Sequence, residues 1–190
     1  MNASETPTPL PLHTERLVLR SADQAQAPVL QRYLLDNREH LAPWEPLRDE
    51  EYFQLAAVAQ RLRDMAGKVV AGEARHWLLF DRDEQRVLGA CNFTNIVRGA
   101  FQACHLGFAL AREAQGRGLM HEALQAAIGH AFDELQLHRI MANYRPENLR
   151  SAQLLARLGF EQEGRARAYL KINGEWADHV LTSLINPQTM

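Results

Sequence analysis

Cysteine is nearly absent: the 190 residues contain two, Cys91 and Cys104. Both sit among apolar, strand-like neighbours with no metal-ligand spacing, which excludes a disulfide-stapled scaffold and reads as reduced core thiols of a cytoplasmic protein. Also missing is any apolar run near the ~18 residues that a bilayer-crossing helix needs, so no membrane contact is expected. A large excess of charge of one sign is missing too. With 21 Lys and Arg against 23 Asp and Glu, the net charge is −2, which argues against broad nucleic-acid binding, since that relies on clustered basic residues. The start, Met1 to Pro11, has no apolar h-region and carries Pro7, Pro9 and Pro11. It lacks the pattern of a signal peptide, and residues 1–12 read as a flexible arm. No repeat, low-complexity tract or linker interrupts the chain, so 1–190 reads as one domain.

What is present is a change of hydrophobic period along the chain. Arg16 to Arg20 alternates and predicts a first strand. Pro28, followed by Val29, Leu30, Tyr33 and Leu34, predicts a helix with proline in its first turn. His40 to Glu51 contains Pro43, Trp44 and Pro46 and reads as a shaped loop without a regular element. A second helix follows, with Leu55, Val58, Leu62 and Met65 on one side. His76 to Phe80, Val87 to Val97 and Phe101 to Leu110 then read as an antiparallel meander. The stripe from Leu119 to Leu135 is helical. His138 to Tyr144 predicts a strand parallel to the one before it. Asn148 caps a short helix with inner face Ala152, Leu155 and Leu158, stopped by Gly159. Arg167 to Ile172 and Glu175 to Ile185 form a closing hairpin around a type I′ Asn173-Gly174 turn. The fold class is α/β (α+β).

The chemistry-bearing segment lies where a strand gives way to a helix, Leu110 to Met120. Gly116 and Gly118 let the backbone approach a ligand closely, and the following helix start offers unpaired N–H groups to a diphosphate. A Walker loop would need Gly-Lys-Ser/Thr where the chain has Gly118-Leu119-Met120, and a dinucleotide fingerprint needs a third glycine near His121 after a parallel strand. Both are excluded.

The remaining pattern, Gln115-Gly116-Arg117-Gly118-Leu119-Met120, resembles the GNAT superfamily motif Gln/Arg-x-x-Gly-x-Gly/Ala, with Met120 in place of the last small residue. The element order is similar too. The resemblance implies a mixed, mostly antiparallel seven-stranded sheet with helices on both faces, whose fourth and fifth strands splay to admit pantetheine. It implies acetyl-CoA as cosubstrate and no metal. Phe108, Ala109 and Leu110 would bond pantetheine, Gln115 to Met120 the pyrophosphate, and Asn148 and Ser151 would also contact the cofactor. Further segments, Pro43 to Pro46, Asn92 to Cys104, His138 to Tyr144, Leu154 to Glu161 and Asn173 to Thr182, resemble the ribosomal-protein alanine N-acetyltransferases. The partner this implies is a ribosomal protein N-terminus, that of small-subunit protein number five, met on the ribosome or the assembling small subunit. Acetylation of a small amine, or a non-catalytic coenzyme-A-binding assembly factor, stays open as an alternative.

Acetyl transfer needs a neutral amine and a proton for the departing thiolate. An α-amine with a pKa near 8 is about a tenth neutral at pH 7, so a weak base suffices. Many relatives carry Glu where this chain has His105, which fits a base acting through water; a hydrogen-bonded strand histidine is the equal alternative. Leu155 stands where many relatives carry the tyrosine acid. Ser151, three residues after Asn148, and Tyr144 at a strand end are the replacements, against the plainer roles of a backbone-bonded serine and a pocket wall. Trp44 and Glu45 would wall the substrate side, Glu45 attracting the cationic amine. His76, His130, His138 and His179 show no ligand spacing, so no metal site is expected.

Overall fold

A computed structural model describes residues 10–189. Residues 1–9 of the expected arm lie outside the described residues, and its last position is held: β1 (Leu12–His13) pairs antiparallel with β2 (Leu17–Ser21), Leu12 opposite Leu19. This short pair makes the sheet eight-stranded where the sequence pattern predicts seven. In β2, Leu17, Val18 and Leu19 are all buried, so the strand is covered on both faces and true alternation is absent.

The chain continues through α1 (Ala27–Asp36), α2 (Arg38–Leu41) and α3 (Leu55–Val70) to β3 (Arg75–Asp81), β4 (Val87–Val97) and β5 (Ala103–Leu110). Pro28 sits in the first turn of α1, where its missing N–H costs nothing. The segment read as a loop without regular structure contains the end of α2 and one 3₁₀ turn, Ala42–Trp44, and runs into a second, Glu51–Phe53. Pro43 occupies the first turn of one of them, so it starts a helical turn rather than breaking it. Then come α4 (Leu119–Asp133), β6 (Arg139–Tyr144), α5 (Leu149–Arg157), β7 (Glu161–Ile172) and β8 (Glu175–Ile185). Strand order is β1-β2-β3-β4-β5-β6-β8-β7. β7 starts earlier than its pattern predicts because two register shifts scramble its alternation; Arg167 to Tyr169 bow out opposite Asp178, which accepts from the Ala168 N–H at 3.0 Å.

Pairing register fixes the two faces of the sheet. Trp77 packs edge-on against His130 of α4, with ring centroids 5.4 Å apart, so Trp77 and its cross-strand neighbours Cys91 and Phe108 look toward α4. His76, Asn92, Thr94 and His105, each one position out of step with them, look away from it. β5 and β6, the only parallel pair among the described residues, share three rungs: Ala103 with Arg139, Cys104 with Ile140, and His105 with Met141. Beyond that last rung both strands run on unpaired with each other, and a gap opens between Leu106–Leu110 and Ala142–Tyr144.

Candidate active site

The backbone of β5 decides which groups face this gap. The Ala111 N–H donates to Leu88 O at 2.8 Å, so Gly89 and Leu110 form a non-hydrogen-bonded pair, and the bonds of the adjacent Ala109 go to Ala90. Counting back, Phe108 and Leu110 turn their N–H and C=O groups toward the gap. Ala109 does not, which corrects the expectation that all three offer their backbones to a pantetheine arm: β4 already occupies its peptide groups.

Past Leu110 a 3₁₀ turn, Arg112–Ala114, leads to Gly116 and Gly118, with φ of 72° and 75°. Only glycine adopts such angles without strain. Gly118 caps α4 with no side-chain bond, and the N–H groups from Gly116 to His121 meet no acceptor among the described residues. A Cβ built on Gly116 would stand in open space. A run of bare amides at the positive end of a 15-residue helix is an anion seat. Gln115, Arg117, Leu119 and Met120 all lie in this loop and first turn. Met120, in place of the motif's small residue, is 6% exposed and belongs to the core. Arg117 lends its carbonyl to Arg16 Nη1 at 2.8 Å, and Arg16 is itself held by Glu122 at 2.6 Å.

Asn148 caps α5, its Oδ1 accepting from the Ser151 N–H at 3.1 Å. Ser151 is half-buried on the first turn of α5. α5 packs on β6. Leu184, across from Ile140, comes 3.5 Å from where a Cβ would sit on Gly159 at the end of α5. α5 therefore lies on the face of Ile140, Ala142 and Tyr144, the α4 side. His105 is on the other face, at the rung where the gap begins. Its Nδ1 is buried without a partner, and burial lowers its pKa, so the ring is neutral at physiological pH.

The loop after α2 closes the same side. Asn173 N–H donates to Glu45 O at 2.9 Å, Arg145 Nη1 donates to Pro43 O at 2.9 Å, and the Arg145 guanidinium lies 5.9 Å from the Trp44 ring centroid. These ties hold Trp44 and Glu45 over the end of β6. Burial raises the Glu45 pKa, with Arg48 opposing. Sequence reasoning missed the contacts of Asn37, His40 and Arg150. Asn37 Oδ1 accepts from the Arg112 N–H at 3.0 Å, His40 Nε2 lies 3.0 Å from Gln115 Nε2, and Arg150 donates to Gln115 Oε1. No spacing could have announced them, because they join segments 35 to 75 residues apart.

Both cysteines are free and buried; burial pushes the Cys104 thiol up to about 12 and that of Cys91 up as well. Among the described residues, no group of three His, Cys, Asp or Glu side chains is arranged to hold a metal ion, and no helix is long and apolar enough to cross a membrane.

The acetyltransferase (GNAT) domain family matches residues 16–161. The chain is 48% identical over 176 residues to the ribosomal protein uS5-alanine N-acetyltransferase of Escherichia coli (strain K12), covering 93% of this chain and 91% of that protein. The crystal structure of the ribosomal-protein-S5-alanine acetyltransferase from Vibrio fischeri superimposes with a TM-score of 0.90 at 39% identity, over 94% of this chain and 98% of that one. Mycobacterium smegmatis RimJ in complex with CoA-disulfide superimposes at 0.87 and 28% identity, over 94% and 87%. A splayed parallel pair beside a bare-amide helix start, together with these matches, shows that the chain belongs to the GNAT acetyltransferase family, whose members take their acyl group from acetyl-CoA.

Proposed function

We propose that this chain transfers the acetyl group of acetyl-CoA to the α-amine of a ribosomal protein, the N-terminal alanine of uS5. The observation that carries the reading is the gap beyond the His105–Met141 rung, which opens next to the unpaired amides of Gly116 to His121. The 48% identity to an enzyme of that name supports the substrate. In this reading Gln115, Gly116, Arg117, Gly118, Leu119 and Met120 seat the diphosphate, and Phe108 and Leu110 bond the pantetheine arm through their backbones. Asn148 and Ser151 contact it from α5.

The two faces of the sheet divide the proton chemistry. On the face away from α4, a peptide N-terminus enters under Trp44 and Glu45, and the Glu45 carboxylate attracts its ammonium group. Neutral His105 takes the ammonium proton through a water. The freed nitrogen lone pair attacks the thioester carbon, the C–N bond forms, and as the C–S bond breaks the nitrogen gives up its second proton to solvent water. On the opposite face, the Ser151 hydroxyl supplies the proton that the departing thiolate needs and regains one from water, with Tyr144 as the second donor. Reduced buried thiols and the substrate class fit a cytoplasmic enzyme.

Incubating purified small-subunit ribosomal proteins with acetyl-CoA and this chain tests the reading. Mass spectrometry should find one added acetyl group on the N-terminal peptide of uS5, with release of one thiol. Thiol release with small amines but none with the peptide would overturn it, and no release at all would leave a binding protein.

A further inference from the structure

The corner between α1 and α2 grips the segment leading from β5 to α4, and the polarity of its hydrogen bonds conflicts at one atom. His40 Nε2 lies 3.2 Å from Leu110 O and 3.0 Å from Gln115 Nε2. On its other side, Gln115 accepts from Arg150 through Oε1. Arginine has only donors, so the Gln115 oxygen must face Arg150 and its NH₂ must face His40. The ring nitrogen that receives this NH₂ must then be a bare lone pair, with the imidazole proton on Nδ1. In that state His40 cannot donate to Leu110 O. That carbonyl, which points into the gap, stays open to an N–H donor. A proton on Nε2 reverses both relations: His40 donates to Leu110 O and closes it, while the Gln115 NH₂ confronts an N–H and loses its acceptor.

We infer that His40 is a positioning residue for the coenzyme: neutral, it holds Gln115 against Arg150 at the mouth of the phosphate loop and leaves the Leu110 carbonyl free for a pantetheine amide; protonated, it takes that carbonyl and weakens binding. The inference rests on the cofactor placement above. The charged groups that face the ring are Arg112, from the segment after β5, and Arg150, from α5. Burial first, and then these two cations, hold the His40 pKa below its ordinary value, against the pull of the Leu110 carbonyl. The neutral, binding-competent form is therefore the resting one at physiological pH.

Plain electrostatics makes the opposite prediction, because an imidazolium beside a diphosphate should tighten binding in acid. Calorimetry on the whole chain between pH 8 and pH 5.5 separates the two. Dephospho-coenzyme A is the probe, since it lacks the phosphate monoester that titrates near pH 6. Its dissociation constant should rise about fivefold as His40 protonates, the worth of one net hydrogen bond, and the rise should vanish in His40→Gln. Where that variant does not fold, the wild-type ring is followed by nitrogen NMR: Nε2 should be the unprotonated nitrogen, and the ring should titrate at lower pH once dephospho-coenzyme A is bound. A flat or tightening profile, a profile unchanged in His40→Gln, or a ring pKa that binding leaves in place or raises overturns the role of His40. Absence of binding even at pH 8 overturns the cofactor placement itself.

Discussion

Replacing Gly89 by alanine probes β5, the strand proposed to hold the cofactor, from behind. Gly89 sits on β4 directly opposite Leu110, and a Cβ there would fall well inside contact distance of Ala109 O, at 3.1 Å from Leu110 Cδ1 and 3.3 Å from Leu110 Cα. The main obstacle is a backbone oxygen, so no rotamer change relieves it; β5 must move away from β4, into the gap. Overpacking of this kind costs about 1–3 kcal/mol. For a chain of this length each kcal/mol lowers Tm by about 2–4 °C, so a fall of about 2–12 °C is expected by calorimetry. A strand displaced into the pantetheine slot should also weaken coenzyme A at least about tenfold, which is 1.4 kcal/mol. Gly107→Ala is the control, because its Cβ meets nothing within 4 Å, and its stability should stay within about 0.5 kcal/mol of wild type. Wild-type Tm and wild-type coenzyme A affinity in folded Gly89→Ala would refute both the packing argument and the placement of the slot.

Glu122 accepts from Thr14 Oγ1 at 2.6 Å and from Arg16 N and Nε at 2.7 and 2.6 Å, so Glu122→Ala should lower the urea midpoint by an amount equivalent to about 1–3 kcal/mol. Ser151→Ala should reduce kcat about a hundredfold with coenzyme A affinity unchanged; equal loss of both in a folded variant would make the serine a binding group instead. Stability should fall as pH drops below about 6.5, followed as the urea midpoint from pH 7.5 to pH 5. The sign follows from His40, His76, His105 and His130, whose pKa values are lowered chiefly by burial. The unfolded chain takes up their protons first, so stability is complete above the ordinary histidine value and is lost as pH falls through it toward the folded values. Glu45, raised by burial, acts in the opposite sense as one group against four; an unchanged midpoint would show that the imidazoles are not shielded as described.

Elements whose period is set by one-sided burial were legible in the residues alone: α4, with Ala123, Leu124 and Ala127 fully buried on one stripe, and the Asn173-Gly174 turn, with φ of 46° and 85°. The bend before α4 was legible because Gly116 and Gly118, with φ of 72° and 75°, carry a backbone meaning of their own. β1 was not, since two residues have no period, nor was the bow in β7, where Asp178 holds three residues against one. The expectation for Ala109 failed for a related reason: the residue type says nothing about which way a peptide group points, and only the register with β4 does. Asn37, His40 and Arg150 were invisible because their partners are backbone atoms and a glutamine far along the chain.

The gap itself is a backbone event, and β4 supplies its cause. Between Thr94 and Val97 the register shifts, and Asn95 takes a φ of 52°. A bulge raises local twist and bends the strand that carries it. Thr94 is the partner of His105, and His105 is the last residue of β5 that β6 still meets. The extra twist thus enters the sheet at the rung where the parallel pair parts. The same rung sets His105 on one face, while Tyr144 and the α5 serine lie on the other. One inserted residue in a neighbouring strand therefore coincides with the start of the gap, and side-chain alternation sets the proposed proton acceptor and the proposed donors on opposite sides of it.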